Sequence, residues 1–407
     1  MNDNKLHKKL RRLDKLITTD ESKNRPTTNV PEHYKTLAQA LAGELITNHA
    51  GAYCLVRTFY SGAYRHGRLQ LPTEQLGRSL ARSAFAMKEL PGSAEVSSLL
   101  FVDTETTGLG GSGAVAFLVG CGSVTENGFE VRQYLMPDYS DEAAMLEALQ
   151  EEFSSDKTLV TYNGAAFDLP LLRGRMIVNR VARELAMADH LDLLHAARRL
   201  FRRRLGDCSL TNVERELFEF YRQDDVPGYL IPSIYFDWLG TRRLDGLLGV
   251  LEHNRLDIVS LWFLAVMVAE AFASDGSTLD SADDLHSLAR VYSRRKYHHK
   301  VVDLCRRREE IQPGVAQPDV ALFQAQAFKR AGEKEQAASL WRSLSGGDSR
   351  EAYWANLELA KHFEHSTRDY HQALRFAKMA QRICPYGKSH RDSLKHRIKR
   401  LTTRIKG

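Results

Sequence analysis

The chain has 407 residues, more than one ordinary domain holds and enough for two or three. Hydrophobic residues at 43% and charged residues at 27% are the balance of a folded protein and exclude wholesale disorder. The 57 Lys+Arg against 51 Asp+Glu leave a net charge of +6, which permits a nucleic-acid partner without showing one, since placement matters more than the sum.

In chain order, residues 1–35 read as a basic arm. Leu6, Leu10, Leu13 and Ile17 fall at helical spacing, and Pro26 and Pro31 then interrupt the chain. This stretch has no apolar core of the kind a secretory signal needs. Residues 36–97 form an extension expected to pack on the domain C-terminal to it; AYCLVRTFYSGAYRHGR predicts strand and turn, and QLGRSLARSAFAMKEL an amphipathic helix. From Ser98, LLFVDTETTGL, AVAFLVGCGSV and FEVRQYLM predict three strands, and DEAAMLEALQEEF a helix with an acidic start. TLVTYNG predicts a fourth strand running into the helix-like FDLPLLRGRMI. HLDLLHAARRLF, the loop GDCSL and the helical run DGLLGVLEHNRLDIVSLWFLAVMVAEAFA complete residues 98–274. That order predicts an α/β fold, a mixed β-sheet flanked by helices.

After SDGSTLDSAD, helix follows helix. Ala289, Ala325 and Ala360 lie 36 and 35 residues apart, each followed three positions later by an aromatic residue, Tyr292, Phe328 or Phe363. Residues 281–384 thus resemble tetratricopeptide repeats of about 34 residues, which implies an all-α helical-repeat domain able to hold a protein partner. Residues 385–407 are strongly basic and predict one last helix. No apolar run reaches the roughly 18 residues of a membrane span, so no membrane is expected. The five cysteines (Cys54, Cys121, Cys208, Cys305, Cys384) are scattered and none stands in C-x-x-C. Neither a disulfide framework nor a zinc module is expected, and a reducing, cytoplasmic setting fits.

Three clusters carry possible chemistry. Asp103 and Glu105 end a buried strand and share a face, because alternate strand residues point the same way. Asp168, with Asn163 and Phe167 before it, begins a helix directly after a strand. His253 and Asp257 lie four apart on a helix and share a face. Each alone has a structural reading: a capped turn, an acidic N-cap, a surface ion pair. Together they can bring four carboxylates to one sheet edge. Two such charges about 4 Å apart repel by roughly 4 kcal/mol at an effective dielectric of 20, so the cluster calls for cations. Oxygen ligands suit Mg²⁺ or Mn²⁺ rather than zinc. GLGGSG (Gly110, Gly111, Gly113) lacks the Lys-Ser/Thr of a phosphate loop and reads as a turn. Arg198, Arg199, Arg202, Arg203 and Arg204 form a basic run that suits either a nucleic-acid backbone or a solvated helix end.

FVDTETTGL, YNGAAFDLPLL and HNRLD, in this order, resemble the three motifs of the DEDD (DnaQ-like) exonucleases of the ribonuclease H-like superfamily. With DDVPGYLIPSIY and the helical-repeat C-terminus, the chain is similar to the YprB-type group of predicted bacterial exonucleases. The resemblance covers roughly residues 45–270. It implies a ribonuclease H-like fold and a 3′→5′ exonuclease acting on a single-stranded 3′ end of DNA or RNA with two divalent cations, Mg²⁺ or Mn²⁺. By the same resemblance Asp103 bridges both metals, Glu105 completes one, Asp168 holds the second and Asp257 ligates the first. Thr104, Asn163 and Phe167 match substrate-contacting positions, and Asp192 stands behind the ligands. His253 departs from the pattern. One subgroup has four residues between its His and the Asp and the other has three between a Tyr and the Asp, whereas here a His stands with three residues, Asn254 to Leu256, between it and Asp257. A His of ordinary pKa near 6.5 can take a proton from water, so His253 is the candidate general base. Two other functions use the same residues: a noncatalytic scaffold recruiting a partner through its repeats, and a structure-specific endonuclease.

Overall fold

The computed structural model describes residues 30–71, 79–81, 84–85, 92–108, 113–181, 185–314 and 317–406. The predicted helix at Lys5–Ile17 and both Gly110 and Gly111 lie outside these residues. So does most of QLGRSLARSAFAMKEL; where that stretch is described, Ser79–Ala81 is a short strand paired antiparallel with Ser93–Glu95, not a helix.

Helix α1 (Glu32–Ala40) leads into strands β1 (Glu44–Asn48) and β2 (Gly51–Ser61). Strands β3 (Leu99–Thr106), β4 (Ala116–Thr125) and β5 (Gly128–Leu135) come next, then helix α2 (Glu142–Gln150), strand β6 (Thr158–Thr161), helix α3 (Asp168–Val178) and strand β7 (Asp189–Asp192). The seven strands form one sheet in the order β1-β2-β5-β4-β3-β6-β7. Pairing is antiparallel from β1 through to β3, and β3 pairs parallel with β6. The expected mixed sheet is therefore present. The change to parallel pairing between β3 and β6 decides where a site can form: the C-terminal ends of these two strands emerge at the same edge, bringing the residues after both together. The first four residues of β3, Leu99 to Val102, are all buried with no alternation, as in a strand covered on both faces.

The extension is more than a packing segment. β2 pairs with β5 from Cys54 opposite Leu135 to Ser61 opposite Gly128, so residues 44–61 are part of the sheet itself. Helix α4 (Leu193–Leu200), helix α5 (Ile231–Thr241) and the 27-residue helix α6 (Leu247–Ala273) lie further along the chain. By length and composition α6 could cross a membrane, contrary to the reading of apolar runs in the sequence, but 72% of its most apolar window is buried. With Glu252, His253, Arg255 and Asp257 in its first half, it is a core helix.

The chain divides into two compact units. One comprises residues to Tyr64, Ser97–His190 and Arg222–Val259; the other comprises Arg65–Val96, Leu191–Tyr221 and the chain from Ser260. The boundary between the units falls within α6, between Val259 and Ser260. In the first unit, Leu37, Phe117, Leu135, Met145, Leu172 and Trp238 belong to one buried cluster, and Tyr235 stacks on Phe117 at 4.0 Å. In the second, α7 (Ala282–Arg294), α8 (His298–Ile311), α9 (Pro318–Arg330), α10 (Lys334–Leu344), α11 (Arg350–His362) and α12 (Tyr370–Arg382) pack as successive pairs, with α13 (Lys388–Lys406) last. Ala289, Ala325 and Ala360 are buried, as small residues at helix contacts should be. On α13, Arg397 and Arg400 both pair with the buried carboxylate of Glu364.

Candidate active site

The site begins with two glycines. In β4, Gly120 stands opposite Asp103 of β3, and Gly122 opposite Phe101. A Cβ at Gly120 would lie 2.5 Å from Asn254 Oδ1 and 2.9 Å from Ile258; one at Gly122 would lie 2.5 Å from Ile258. The missing side chains thus let α6 settle onto the sheet face. At this approach Asn254, fully buried, donates to Asp103 Oδ2 at 2.9 Å and accepts from Gln133 Nε2 at 2.9 Å. The same Gln133 amide donates to the Leu251 carbonyl at 2.8 Å, so the sheet grips the helix by a closed polar network. Gly120→Ala is expected to cost about 1–3 kcal/mol through overpacking. It should also weaken metal binding by pulling Asn254 off Asp103. Chemical denaturation and a Mn²⁺ titration check this, and an Ala variant equal to the parent in both would contradict it.

Beyond Val102, β3 leaves the core and its last four residues are part-exposed. The Asp103 carboxyl is pushed well above its ordinary range, first by burial, then by Asp257 and Asp168; Asn254 and Arg222 oppose this. Glu105 is raised in the same way, by burial and then by Asp103, Asp257 and Asp168. After β6 the chain turns through Asn163, whose left-handed φ of 67° is a conformation Asn tolerates, and enters α3 at Asp168. The buried Asp168 accepts a hydrogen bond from the Thr104 hydroxyl, while Phe167 beside it is 57% exposed.

α6 supplies His253 and Asp257. His253 Nε2 lies 3.7 Å from Asp257 Oδ2, so the four-residue spacing does place both on one face. Its Nδ1 lies 2.8 Å from Asp225 Oδ1 and 3.3 Å from an Arg222 nitrogen. A carboxylate can only accept, so in the shorter contact Nδ1 carries a proton and donates it to Asp225. Arg222 instead donates to Asp257 and lies 3.5 Å from Asp225 Oδ2. Its side chain is only 5% exposed, a buried counter-charge among acids.

Among the described residues, Glu105, His253 and Asp257 each offer a ligand atom within 4.8 Å of the others. Asp103 and Asp168 add carboxylates close enough to raise Glu105. Five acids counting Asp225, with one guanidinium between them, form a donor set dominated by hard oxygen, which fits Mg²⁺ or Mn²⁺. Asp103, Glu105, Asp168 and Asp257, the four carboxylates assigned as ligands from the sequence, are therefore brought together with His253. Asp192 and the arginine run belong to the second unit. There the Asp192 carboxylate accepts the Leu194 amide at 3.1 Å as the cap of α4. Arg203 pairs with Asp283 and Asp319, each at 2.8 Å, and Arg204 with Asp284 at 2.7 Å. Sequence reasoning missed Arg222, Asp225 and Asn254. The G-C-G of β4 is the one signal that could have pointed to close helix approach and so to Asn254.

Residues 100–269 match the RNase_H superfamily. The carboxylates at the end of β3 thus lie in a stretch that matches a superfamily whose members generally hydrolyse phosphodiester bonds and typically use divalent metal ions. Over 341 residues, 81% of this chain and 80% of the other, the sequence is 33% identical to Bacillus subtilis (strain 168) YprB, a protein described only as uncharacterized. The chain belongs to the YprB family, and its residues 100–269 carry the match to the RNase_H superfamily. A solved structure, the family B DNA polymerase from the hyperthermophilic archaeon Pyrobaculum calidifontis, aligns with 60% of this chain at 15% identity and a TM-score of 0.34. The chain spans 34% of that polymerase's length.

Proposed function

We propose that the protein is a metal-dependent 3′→5′ exonuclease of the DEDD type that hydrolyses DNA or RNA from a single-stranded end. The observation that carries the proposal is the gathering of Asp103, Glu105, Asp168 and Asp257 around a histidine whose far nitrogen is held by Asp225. Asp103, Glu105, Asp168 and Asp257 would hold two divalent cations, which when bound supply an activated water and a stabilised leaving oxygen. His253 Nε2 takes the proton of the attacking water. The Nδ1–H bond to Asp225 fixes the ring and steadies the imidazolium that results. Arg222 keeps Asp257 aimed and offsets part of the cluster's repulsion. The exposed Phe167 ring, next to Asp168, offers a face on which a terminal base can stack, an interaction worth roughly 1–3 kcal/mol. The buried small residues of α7, α9 and α11 support reading the C-terminal helices as a tetratricopeptide-like module for a protein partner.

Oligonucleotides labelled at one end test the reaction and its polarity. A 5′-labelled single strand should shorten progressively, and a 3′-labelled one should release its label at once as a mononucleotide. Internal fragments from both would instead indicate an endonuclease. For the proton acceptor, His253→Ala is expected to lower kcat by about 10²–10⁴-fold. Mn²⁺ affinity should stay close to that of the parent, with Asp225→Asn showing a smaller loss of the same kind. Calorimetry alongside single-turnover kinetics separates the two, since a parallel collapse of metal affinity would make His253 a ligand instead.

A further inference from the structure

The second unit contains a cavity of about 660 Å³ with an unusual lining. One wall is α4, where His195 and Arg199 are four residues apart and Arg198 stands beside them, with Arg202 from the short helix that follows (Arg202–Leu205). The other wall is α7, where His286, Arg290 and Arg294 repeat the same spacing. Four residues bring side chains back to one face of a helix, so two basic faces look into one space. Among the described residues no carboxylate lines the cavity. Arg203 is already matched by Asp283 and Asp319. Arg198, Arg202, Arg290 and Arg294 pair with no carboxylate among the described residues; the exposed Asp207 is held below its ordinary range first by the hydrogen bond it accepts from Ser209, with Arg198 adding a smaller pull. Burial, then Arg295 and Arg294, pull the Arg199 guanidinium down to about 10, still charged at neutral pH. Burial and neighbouring arginines bring His286 to about 4, so it stays neutral there.

Facing arginines repel unless an anion lies between them, and a guanidinium binds phosphate oxygens in pairs. The volume is that of a small-ligand pocket rather than of a gap between side chains. We propose that this cavity binds two or more linked phosphate groups, supplied either by a nucleic-acid backbone or by a free oligophosphate such as a nucleoside diphosphate. This does not depend on the hydrolytic reading.

The test is binding to the full-length protein in EDTA, where hydrolysis plays no part. Anisotropy of a fluorescein-labelled 20-nucleotide single strand is read across salt concentrations, and calorimetry tracks tripolyphosphate and ADP. Arg290→Gln/Arg294→Gln and, separately, Arg198→Gln/Arg202→Gln are compared with Arg391→Gln/Lys399→Gln, an equal charge change on α13. Thermal melts establish that each is folded. If the backbone is the ligand, either cavity pair should weaken strand binding about tenfold and flatten the salt dependence by about 0.7 for each phosphate no longer neutralised. If the ligand is free, tripolyphosphate or ADP binding should vanish in the cavity variants with strand binding unchanged. Both results support the site. Unchanged binding of every probe in folded variants, no binding by the parent, or equal losses in the α13 control would overturn it.

Discussion

Replacing Asp103 by Asn together with Glu105 by Gln is expected to reduce hydrolysis by about 10³-fold or more, roughly 4 kcal/mol of lost barrier lowering, and to raise the melting temperature of the metal-free protein. Both effects have one cause. Burial and each other's charge hold these two carboxyls well above their ordinary range, so in the absence of cations the site is a concentration of repulsion. The amides keep shape and hydrogen-bonding capacity but lose the charge. Asn254 can still bond the residue at 103 through its remaining carbonyl, so the network with Gln133 survives. A gain in stability together with a loss of activity is the mark of a strained functional site. Loss of activity with a lower melting temperature would show instead that Asp103 and Glu105 hold the fold.

Metal addition should stabilise the parent protein, and increasingly so as pH rises. For Asp103 and Glu105 the folded pKa lies above the unfolded one, so their contribution is fully present below the ordinary values of 3.8 and 4.5 and is lost as pH rises through the elevated folded values. In EDTA, stability should therefore decline across that window. A cation binds the ionised oxygens and not the unfolded chain, and at about a hundred times its Kd returns about 2.7 kcal/mol. Melts at matched pH values from about 5 to 8, with Mn²⁺ or with EDTA, measure the difference. A difference that is the same at every pH would mean that no raised carboxyl lies at the metal site. In the variant lacking both charges the difference should largely disappear.

Much of this was legible along the chain because it is local. The apolar run ending in Asp103 and Glu105, the helix opening at Asp168 and the His253–Asp257 spacing are each set by a few consecutive residues and by backbone period. What stayed hidden depends on distance in sequence. β2 joins the sheet by pairing with β5, from Cys54 opposite Leu135 to Ser61 opposite Gly128, and nothing local in AYCLVRTFYS names that distant partner. Arg222 and Asp225 sit in an irregular stretch where no periodicity marks a direction, yet they reach His253 and Asp257 across about thirty residues. Asn254 falls between two residues that were noticed, and its role exists only because Gly120 lets α6 come close. The two units were also hidden, since α6 reads as one uninterrupted helix while contributing to both.

The most direct measurement is hydrolysis of a 5′-labelled single-stranded oligonucleotide by the purified full chain, with Mn²⁺ and with EDTA, beside the Asp103→Asn/Glu105→Gln protein. The expected result is stepwise shortening from the 3′ end that requires the metal and is absent from the variant. Equal degradation by both proteins, or degradation undiminished in EDTA, would contradict the assignment of these carboxylates as the catalytic centre.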